Sequence, residues 1–157
     1  MIDPALPDAV KHYLERSGAL LDIVAQHADA DRLLSDRIAP DMFDAGLNLA
    51  IAIRFAARAL CPPAQIAVPE IPESFTMATL RPYHSKITRH IAPITGGDLI
   101  HTVTHNAGNA TLTQAPMDYI ARFALPNQIF HLTATYAALR GAGVALGKAD
   151  FDGLHVY

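Results

Sequence analysis

Apolar residues recur every three or four positions in the first third of the chain, which predicts two long helices. The first spans about Pro4–Ala28, where Asp3 can cap the N-terminus and Gly18 weakens the helix unless it allows a close contact. The second spans about Asp41–Leu60 and ends at Pro62, because proline cannot continue a helix. The polar linker between them contains one apolar pair and has room for a single helical turn.

Two further helices are predicted in the second half of the chain, and a proline falls in each. The third covers Ser74–Ile91 or Thr79–Ile91, so Pro82 must lie in its first turn or kink it. The fourth spans about Pro116–Ala142 and stops at the glycines that follow. Because Pro126 lacks an N–H group, we expect the start of this helix to be kinked or split near that residue.

Between the third and fourth helices, the pattern changes to that of two short β-strands. Leu99–His105 alternates and is rich in β-branched residues, a turn follows at Asn106–Asn109, and a second short run covers Ala110–Thr113. An isolated hairpin is only marginally stable, so we expect this one to pack on the helices. The length of 157 residues suits one domain that spans residues 1–157.

The second helix is apolar around about two-thirds of its circumference. At about 100° per residue, its polar residues share an arc of about 120°; they are Asp44, Asn48, Arg54 and Arg58. Two apolar residues, Ile51 and Phe55, fall in the same arc. The arc is therefore either a narrow solvated face or a mixed stripe that faces an internal pocket.

The fourth helix carries a second polar stripe. Asn127, His131 and Thr135 lie at successive four-residue steps on one face, among small alanines. They form either a buried cluster that hydrogen-bonds across the bundle, for example to Asn48 or Tyr136, or the lining of a pocket. In a pocket, His131 would act as an acid or base, or would bind an anion with Arg54. The candidate pocket residues are Asn48, Arg54, Asn127, His131, Thr135 and Tyr136.

Composition favours closely packed helices and a partly covered surface. Alanine, the strongest helix former, supplies 28 residues but adds little burial. Charged residues make up only 17% of the chain, against roughly 25% in an average soluble domain. We therefore expect a partner on the surface, most simply a second copy in a homodimer. A net charge of −3 without clustered Lys and Arg argues against a nucleic-acid partner.

The chain shows no sign of secretion or of a membrane segment. Its single cysteine, Cys61, excludes an intramolecular disulfide. The N-terminus has prolines and aspartates where a signal peptide would have basic and then apolar residues. The best apolar run, Leu47–Ile53, is far shorter than the roughly 18 residues that span a bilayer. We expect a cytoplasmic protein without a membrane partner.

Eight histidines raise the question of a metal site. His101 and His105 are four apart, but that is roughly 13 Å along a strand, too far to share an ion. His84 and His90 point to different sides of a helix, since six residues turn it by about 240°. These four are predicted surface or rim residues, as are the three that have no ligand at suitable spacing in their own element, His12, His27 and His155. Only His131 stands apart.

Two stretches of the chain resemble an uncharacterised branch of the DinB-like proteins, a superfamily of four-helix bundles. Phe123–Phe151, FALPNQIFHLTATYAALRGAGVALGKADF, closely resembles the C-terminal signature of that branch. Arg37–Phe43, RIAPDMF, resembles the start of its second helix. Together with the hairpin, the resemblance covers most of the chain in matching order. It implies an all-α, DinB-like four-helix bundle with a small β-hairpin between helices three and four, but no reaction, because the branch has no assigned activity.

The resemblance also bears on metal binding. Members of the superfamily that bind metal typically use one histidine of the second helix and a His-x-x-x-His pair of the last. Here His131 matches the second member of the pair, and Asn127 stands in place of the first. Arg54 and Phe55 occupy the stretch of the second helix that carries the remaining ligand. A permanent guanidinium cation would repel a divalent ion.

The resemblance therefore implies a degenerate metal site and no cofactor. The missing ligands and the low fraction of charged residues favour a dimeric module that binds an unknown small molecule or is non-catalytic. The alternative is a metal-dependent enzyme of the thiol transferase or isomerase type, in which His131 would hold a divalent ion.

Overall fold

The computed structural model describes residues 3–157, and within them four long helices form a bundle. The elements in chain order are α1 (Ala5–Val24), α2 (Ala30–Leu34), α3 (Ala45–Leu60), a 3₁₀ turn (Pro62–Ala64), α4 (Met77–Ile91), β1 (Val103–Ala107), β2 (Ala110–Gln114), α5 (Pro116–Tyr119), a π-helical turn (Ile120–Ala124), α6 (Leu125–Gly141) and α7 (Lys148–Asp152). The four long helices are α1, α3, α4 and α6, and the hairpin lies between α4 and α6. This confirms the predicted bundle with a small hairpin.

Helix α3 forms the centre of the bundle. It packs against α1, α4 and α6, most extensively against α6. Of the described residues, only Ala45–Ala64 form a helical segment long and apolar enough to cross a membrane, and 72% of its most apolar stretch is buried inside the bundle. The apolar residues of α3 therefore belong to the core of the bundle. The polar residues on its α6 side are held at the interface between the two helices.

Helix α1 begins as predicted but is shorter. Its start is capped by Asp3, whose Oδ1 accepts a hydrogen bond of 2.9 Å from the N–H of Ala5. It ends at Val24, with Ala25 as the C-cap, because the N–H groups of Gln26 and His27 bond three residues back instead of four, which turns the chain. Gly18 allows the close contact that its position required: a Cβ there would lie 2.6 Å from Cε1 of His84.

Helix α3 begins at Ala45, four residues later than its predicted start at Asp41. Oδ1 of Asp44 accepts a hydrogen bond of 2.7 Å from the N–H of Leu47, so Asp44 is the N-cap. The residues before it form a turn, in which the N–H of Met42 donates to the carbonyl of Ala39. The segment 41–43, predicted to be helical, is thus a loop beside the first turn of α3.

Helix α4 begins between the two predicted starts. Thr76 and Thr79 form a capping box, in which the Thr79 hydroxyl accepts from the N–H of Thr76 at 3.1 Å. Pro82 consequently lies in the second turn and not in the first. There it removes the hydrogen bond to the carbonyl of Ala78, four residues earlier.

The hairpin is shorter at its start than predicted. Its register pairs Val103 with Gln114 and Ala107 with Ala110, so the turn has two residues, and Gly108 adopts a φ of 59°. Leu99 does not join β1, because a turn fixed by the Asp98 side chain and the bond from His101 N–H to Pro63 hold this part of the chain against the bundle.

The last predicted helix is split close to Pro126, as predicted. After α5, the chain makes one π-helical turn, in which the N–H of Leu125 donates to the carbonyl of Ile120, five residues earlier. Pro126 then occupies the first turn of α6, where a missing N–H costs little. The split turns Phe123 and the residues of α6 toward α3.

Candidate functional site

Asn48 of α3 and His131 of α6 meet across the interface of the two helices. Nδ2 of Asn48 donates to the carbonyls of Phe43 at 3.0 Å and Asp44 at 3.1 Å. Oδ1 of Asn48 is therefore the acceptor in its contact of 2.9 Å with Nδ1 of His131, so Nδ1 carries a proton. The neutral imidazole then keeps a lone pair on Nε2.

The surroundings of His131 favour the neutral form. Burial lowers the pKa of His131 below its usual value, because a charged imidazolium is poorly solvated there. Within residues 3–157, Nε2 has no hydrogen-bond partner and is not among the buried unpaired atoms, so it contacts solvent. His131 thus presents an uncharged acceptor to whatever lies outside it.

Aromatic rings hold the imidazole on two sides. Phe55 of α3 stacks on it with a centroid distance of 6.0 Å and an interplanar angle of 13°. Phe130 meets it edge to face at 5.2 Å and 89°. These contacts and the Asn48 hydrogen bond fix both the position and the plane of the ring.

A surface pocket of about 220 Å³ opens beside His131. We call it the His131 pocket, and it is lined by Asp41, Met42, Phe43, Asn48, Phe130 and His131. Phe43 is 52% exposed and Phe130 is 61% exposed, so two aromatic rings face solvent at one place. Large apolar side chains that are exposed together often mark a binding surface.

Two of the predicted site residues hydrogen-bond to the backbone. Thr135 is fully buried, and its hydroxyl donates to the carbonyl of His131 at 2.9 Å. Nδ2 of Asn127 donates to the carbonyl of Phe123 at 2.7 Å. The stripe on α6 is therefore in part the buried polar cluster that we considered, and His131 is its one member that lines the pocket.

The other two predicted residues lie elsewhere. Arg54 pairs with Glu70 at 3.1 Å and does not line the His131 pocket, because it lies about 120° around α3 from Asn48. Tyr136 packs on Phe151 and lines a separate cleft. Of the two residues that the resemblance placed in the ligand stretch of the second helix, Phe55 faces His131, together with Asn48, and Arg54 does not.

The aromatic part of this site was not predicted from the sequence. Met42, Phe43 and Phe130 were not among the candidates, although Phe43 ends one of the two stretches that carry the family resemblance. Recognising Asp44 as the N-cap would have placed residues 41–43 beside the first turn of α3, and so near Asn48.

His105 is a further correction, since it is neither a surface nor a rim residue. Its ring lies 4.1 Å from that of Phe123 and 4.9 Å from that of Tyr119, measured between centroids. Its Nε2 contacts Oε1 of Gln114 at 2.7 Å. His105 therefore joins β1 to the start of the last helical segment.

The residues near His131 do not fit a metal ion. Among residues 3–157, no three His, Cys, Asp or Glu side chains come together as a possible ligand group. The side chain that faces His131 from α3 is the amide of Asn48, and Asn127 is bound to its own helix. A single imidazole nitrogen does not supply the three or four protein ligands that zinc and related ions require.

The comparisons with known proteins agree with this fold. Residues 5–152 match a protein family described as "Domain of unknown function (DUF1993)". No protein with curated annotation matches the sequence. The structure is similar to the crystal structure of a DinB family member protein from Shewanella denitrificans, with a TM-score of 0.81 and 24% sequence identity over 96% of this chain and 91% of that one. The chain belongs to the DUF1993 family and has a DinB-like fold.

Proposed function

We propose that this chain is a cytoplasmic module that binds a small molecule in the His131 pocket and holds no metal there. The observation that carries the proposal is the state of the imidazole. Asn48 holds Nδ1, the rings of Phe55 and Phe130 fix the plane, and Nε2 remains an accessible acceptor beside exposed apolar side chains. Small-molecule sites commonly combine an apolar lining with a few oriented polar groups.

The size of the pocket limits the ligand. At about 220 Å³ it is smaller than the roughly 300–1,000 Å³ of typical ligand sites, and its rim is open. We therefore expect a compact ligand or the end of a larger one, with a dissociation constant of roughly micromolar to millimolar.

Binding is proposed in preference to catalysis. His131 is the one titratable lining group that hydrogen bonds hold in place, and among residues 3–157 the lining holds no Ser, Cys, Thr, Lys or Tyr that could act as a nucleophile or a second proton donor. Cys61, the single cysteine, is buried, which raises the pKa of its thiol to about 11 and makes it unreactive.

A fragment screen tests the binding proposal. Fluorine-detected NMR of a fragment library should find ligands for the wild-type chain that are lost in Phe130→Ala, because that ring lines the pocket. Phe130 is exposed enough for its removal to leave the fold intact. Ile100→Ala is the matched control, since Ile100 is 64% exposed and lies outside the pocket. Fragments that bind equally to wild type and Phe130→Ala would contradict the proposal.

Metal analysis tests the alternative enzyme. Protein purified without an affinity tag should contain no stoichiometric zinc, nickel or manganese, because among residues 3–157 His131 does not belong to any group of three possible ligands. One ion per chain that is lost in His131→Ala would instead favour a metal-dependent enzyme of the thiol transferase or isomerase type.

The proposal includes a homodimer, supported by the low charged fraction of 17%. Most of the apolar surface of α3 is already enclosed by the chain itself, but Leu47 and Ile51 remain partly exposed. Light scattering coupled to size-exclusion chromatography should give twice the mass of one chain, and Ile51→Glu should reduce it to one if α3 contributes to the interface. A wild-type monomer at micromolar concentration would exclude the dimer.

A further inference from the structure

The side chains that line the His131 pocket accept hydrogen bonds but have none to donate. Nε2 of His131 has a lone pair, and the carboxylate of Asp41 is exposed at the rim. Both amide hydrogens of Asn48 are already used, on the carbonyls of Phe43 and Asp44. A polar group of a ligand that pairs with these side chains must therefore be a hydrogen-bond donor.

Charge points in the same direction. Among the residues that the structure describes, no Lys or Arg side chain lines the pocket. Arg37, which lies close by, is already engaged, since Nη1 donates to the carbonyl of Met42 at 2.7 Å and Nη2 lies 3.7 Å from the carboxylate of Asp44. An anionic ligand would meet the carboxylate of Asp41 without an unpaired cation to offset it.

The two exposed rings complete the lining. The faces of Phe43 and Phe130 carry partial negative charge, which attracts an ammonium group or its polarised neighbouring CH groups. The guanidinium of Arg58 uses a nearby ring in this way, 4.5 Å from the centroid of Phe55, but Arg58 does not line the pocket. The free rings of the pocket are left for a ligand.

We propose that the His131 pocket selects small amines with an apolar body. The N–H groups of the ligand donate to Nε2 of His131 and interact with the carboxylate of Asp41, while the apolar body lies against Phe43 and Phe130. This inference rests on the proposed function of the same pocket and names the chemical class of its ligand.

Three probes of matched size test the inference on the full chain. Benzylamine is a cation at neutral pH, benzyl alcohol is neutral, and benzoate is an anion. Each is titrated into labelled protein and followed by nitrogen–proton correlation NMR, with the amides of the 41–48 and 127–135 segments as reporters. Benzylamine should bind about fivefold or more tightly than benzoate, and added salt should reduce the difference.

Two carboxylate variants separate the pocket from the general charge of the protein. Asp41→Asn should weaken benzylamine about threefold and benzyl alcohol by less, because only the cation interacts with the lost charge. Glu73→Gln is the control, because it removes the same charge from an exposed residue that does not line the pocket. It should change neither affinity.

The outcomes are distinct. Benzoate that binds as tightly as benzylamine, or equal effects of Asp41→Asn and Glu73→Gln, would overturn the selection of amines while leaving a ligand-binding pocket in place. If none of the three probes shifts the pocket amides, the amine inference is also overturned. The proposed function itself fails only when the fragment screen finds no ligand that depends on Phe130.

Discussion

His105 and His131 are both held by a side-chain amide among aromatic rings, yet they end in opposite situations. In His105, Nε2 contacts Gln114, the ring packs on Phe123 and Tyr119, and Nδ1 is buried with no hydrogen-bond partner among residues 3–157. In His131, the amide contact uses Nδ1, Nε2 is not fully buried, and the residue lines a pocket. Whether such a histidine can bind a ligand therefore depends on the exposure of the ring nitrogen that is not hydrogen-bonded to the amide.

The hydrogen bonds around Gln114 make the comparison sharper. Nε2 of Gln114 donates to Asp118 at 2.9 Å, so its Oε1 accepts from Nε2–H of His105. Nδ1 of His105 is then a buried acceptor without a hydrogen bond among residues 3–157, which lowers the free energy of unfolding by about 1 kcal/mol. Packing of the hairpin against the bundle offsets this cost. His105 is therefore a structural joint, whereas His131 keeps its free acceptor where a ligand can use it.

The largest expected difference is in stability. His105→Ala should lower the free energy of unfolding by about 2–3 kcal/mol, because it removes the ring contacts that dock the hairpin. His131→Ala should cost only about 1 kcal/mol and leave the helix content unchanged, since the lost ring is partly exposed. Urea unfolding followed by circular dichroism measures both. Equal losses would mean that His131 is as structural as His105.

The two anchoring amides should differ in the opposite order. Asn48 is 3% exposed and makes three hydrogen bonds, so Asn48→Ala should cost about 2 kcal/mol. Gln114 is partly exposed at the end of β2, and Gln114→Ala should cost about 0.5–1 kcal/mol. The same unfolding experiment checks the pair. A larger loss for Gln114 would show that the amide of His105 is the more important anchor.

Helical periodicity predicted the parts of the site that depend on a single helix. It placed Asn48 on the polar arc of α3 and His131 on the polar stripe of α6, and the bond between them was one of the alternatives considered. It could not separate Asn48 from Arg54, because an arc of about 120° is wide enough to face two neighbouring helices. The bundle was recognisable because four helices and a hairpin occur in the matching order.

Contacts between distant segments of the chain could not be predicted from the pattern of apolar and polar residues. Alternation along β1 cannot show that the strand folds onto Tyr119 and Phe123, so the role of His105 was missed. The pocket wall at Phe43 depends on where α3 begins, and the predicted start was too early. Helix ends set by a single capping carboxylate thus decide where side chains of the site lie.

Acidification should weaken the fold through His131. Burial holds its pKa below the usual value of about 6.5, so the folded chain takes up this proton less readily than the unfolded chain. The stabilisation is complete above the unfolded pKa and is lost as the pH falls from about 6.5 through the folded pKa. His131→Gln lacks this contribution, so its stability should fall less than that of wild type between about pH 7.5 and pH 5.

The NMR titration of Cε1–H of His131 reports the same property directly. Its midpoint should lie below about 6.5, because burial disfavours the charged ring. A midpoint at or above that value would show that the imidazole is charged near neutral pH. It would then offer a donor, and not an acceptor, to the pocket.

Chemical modification should separate the two histidines without changing stability. Diethyl pyrocarbonate reacts with an unprotonated, accessible ring nitrogen, which His131 has in Nε2 and His105 lacks, because its Nδ1 is buried and its Nε2 is bonded to Gln114. Peptide mass spectrometry should therefore find His131 modified several-fold faster, and benzylamine should protect it. Unfolding in urea removes the distinction and serves as the control. If His105 reacts as fast as His131 in the folded chain, the hairpin does not stay docked and the two rings differ less than their contacts indicate.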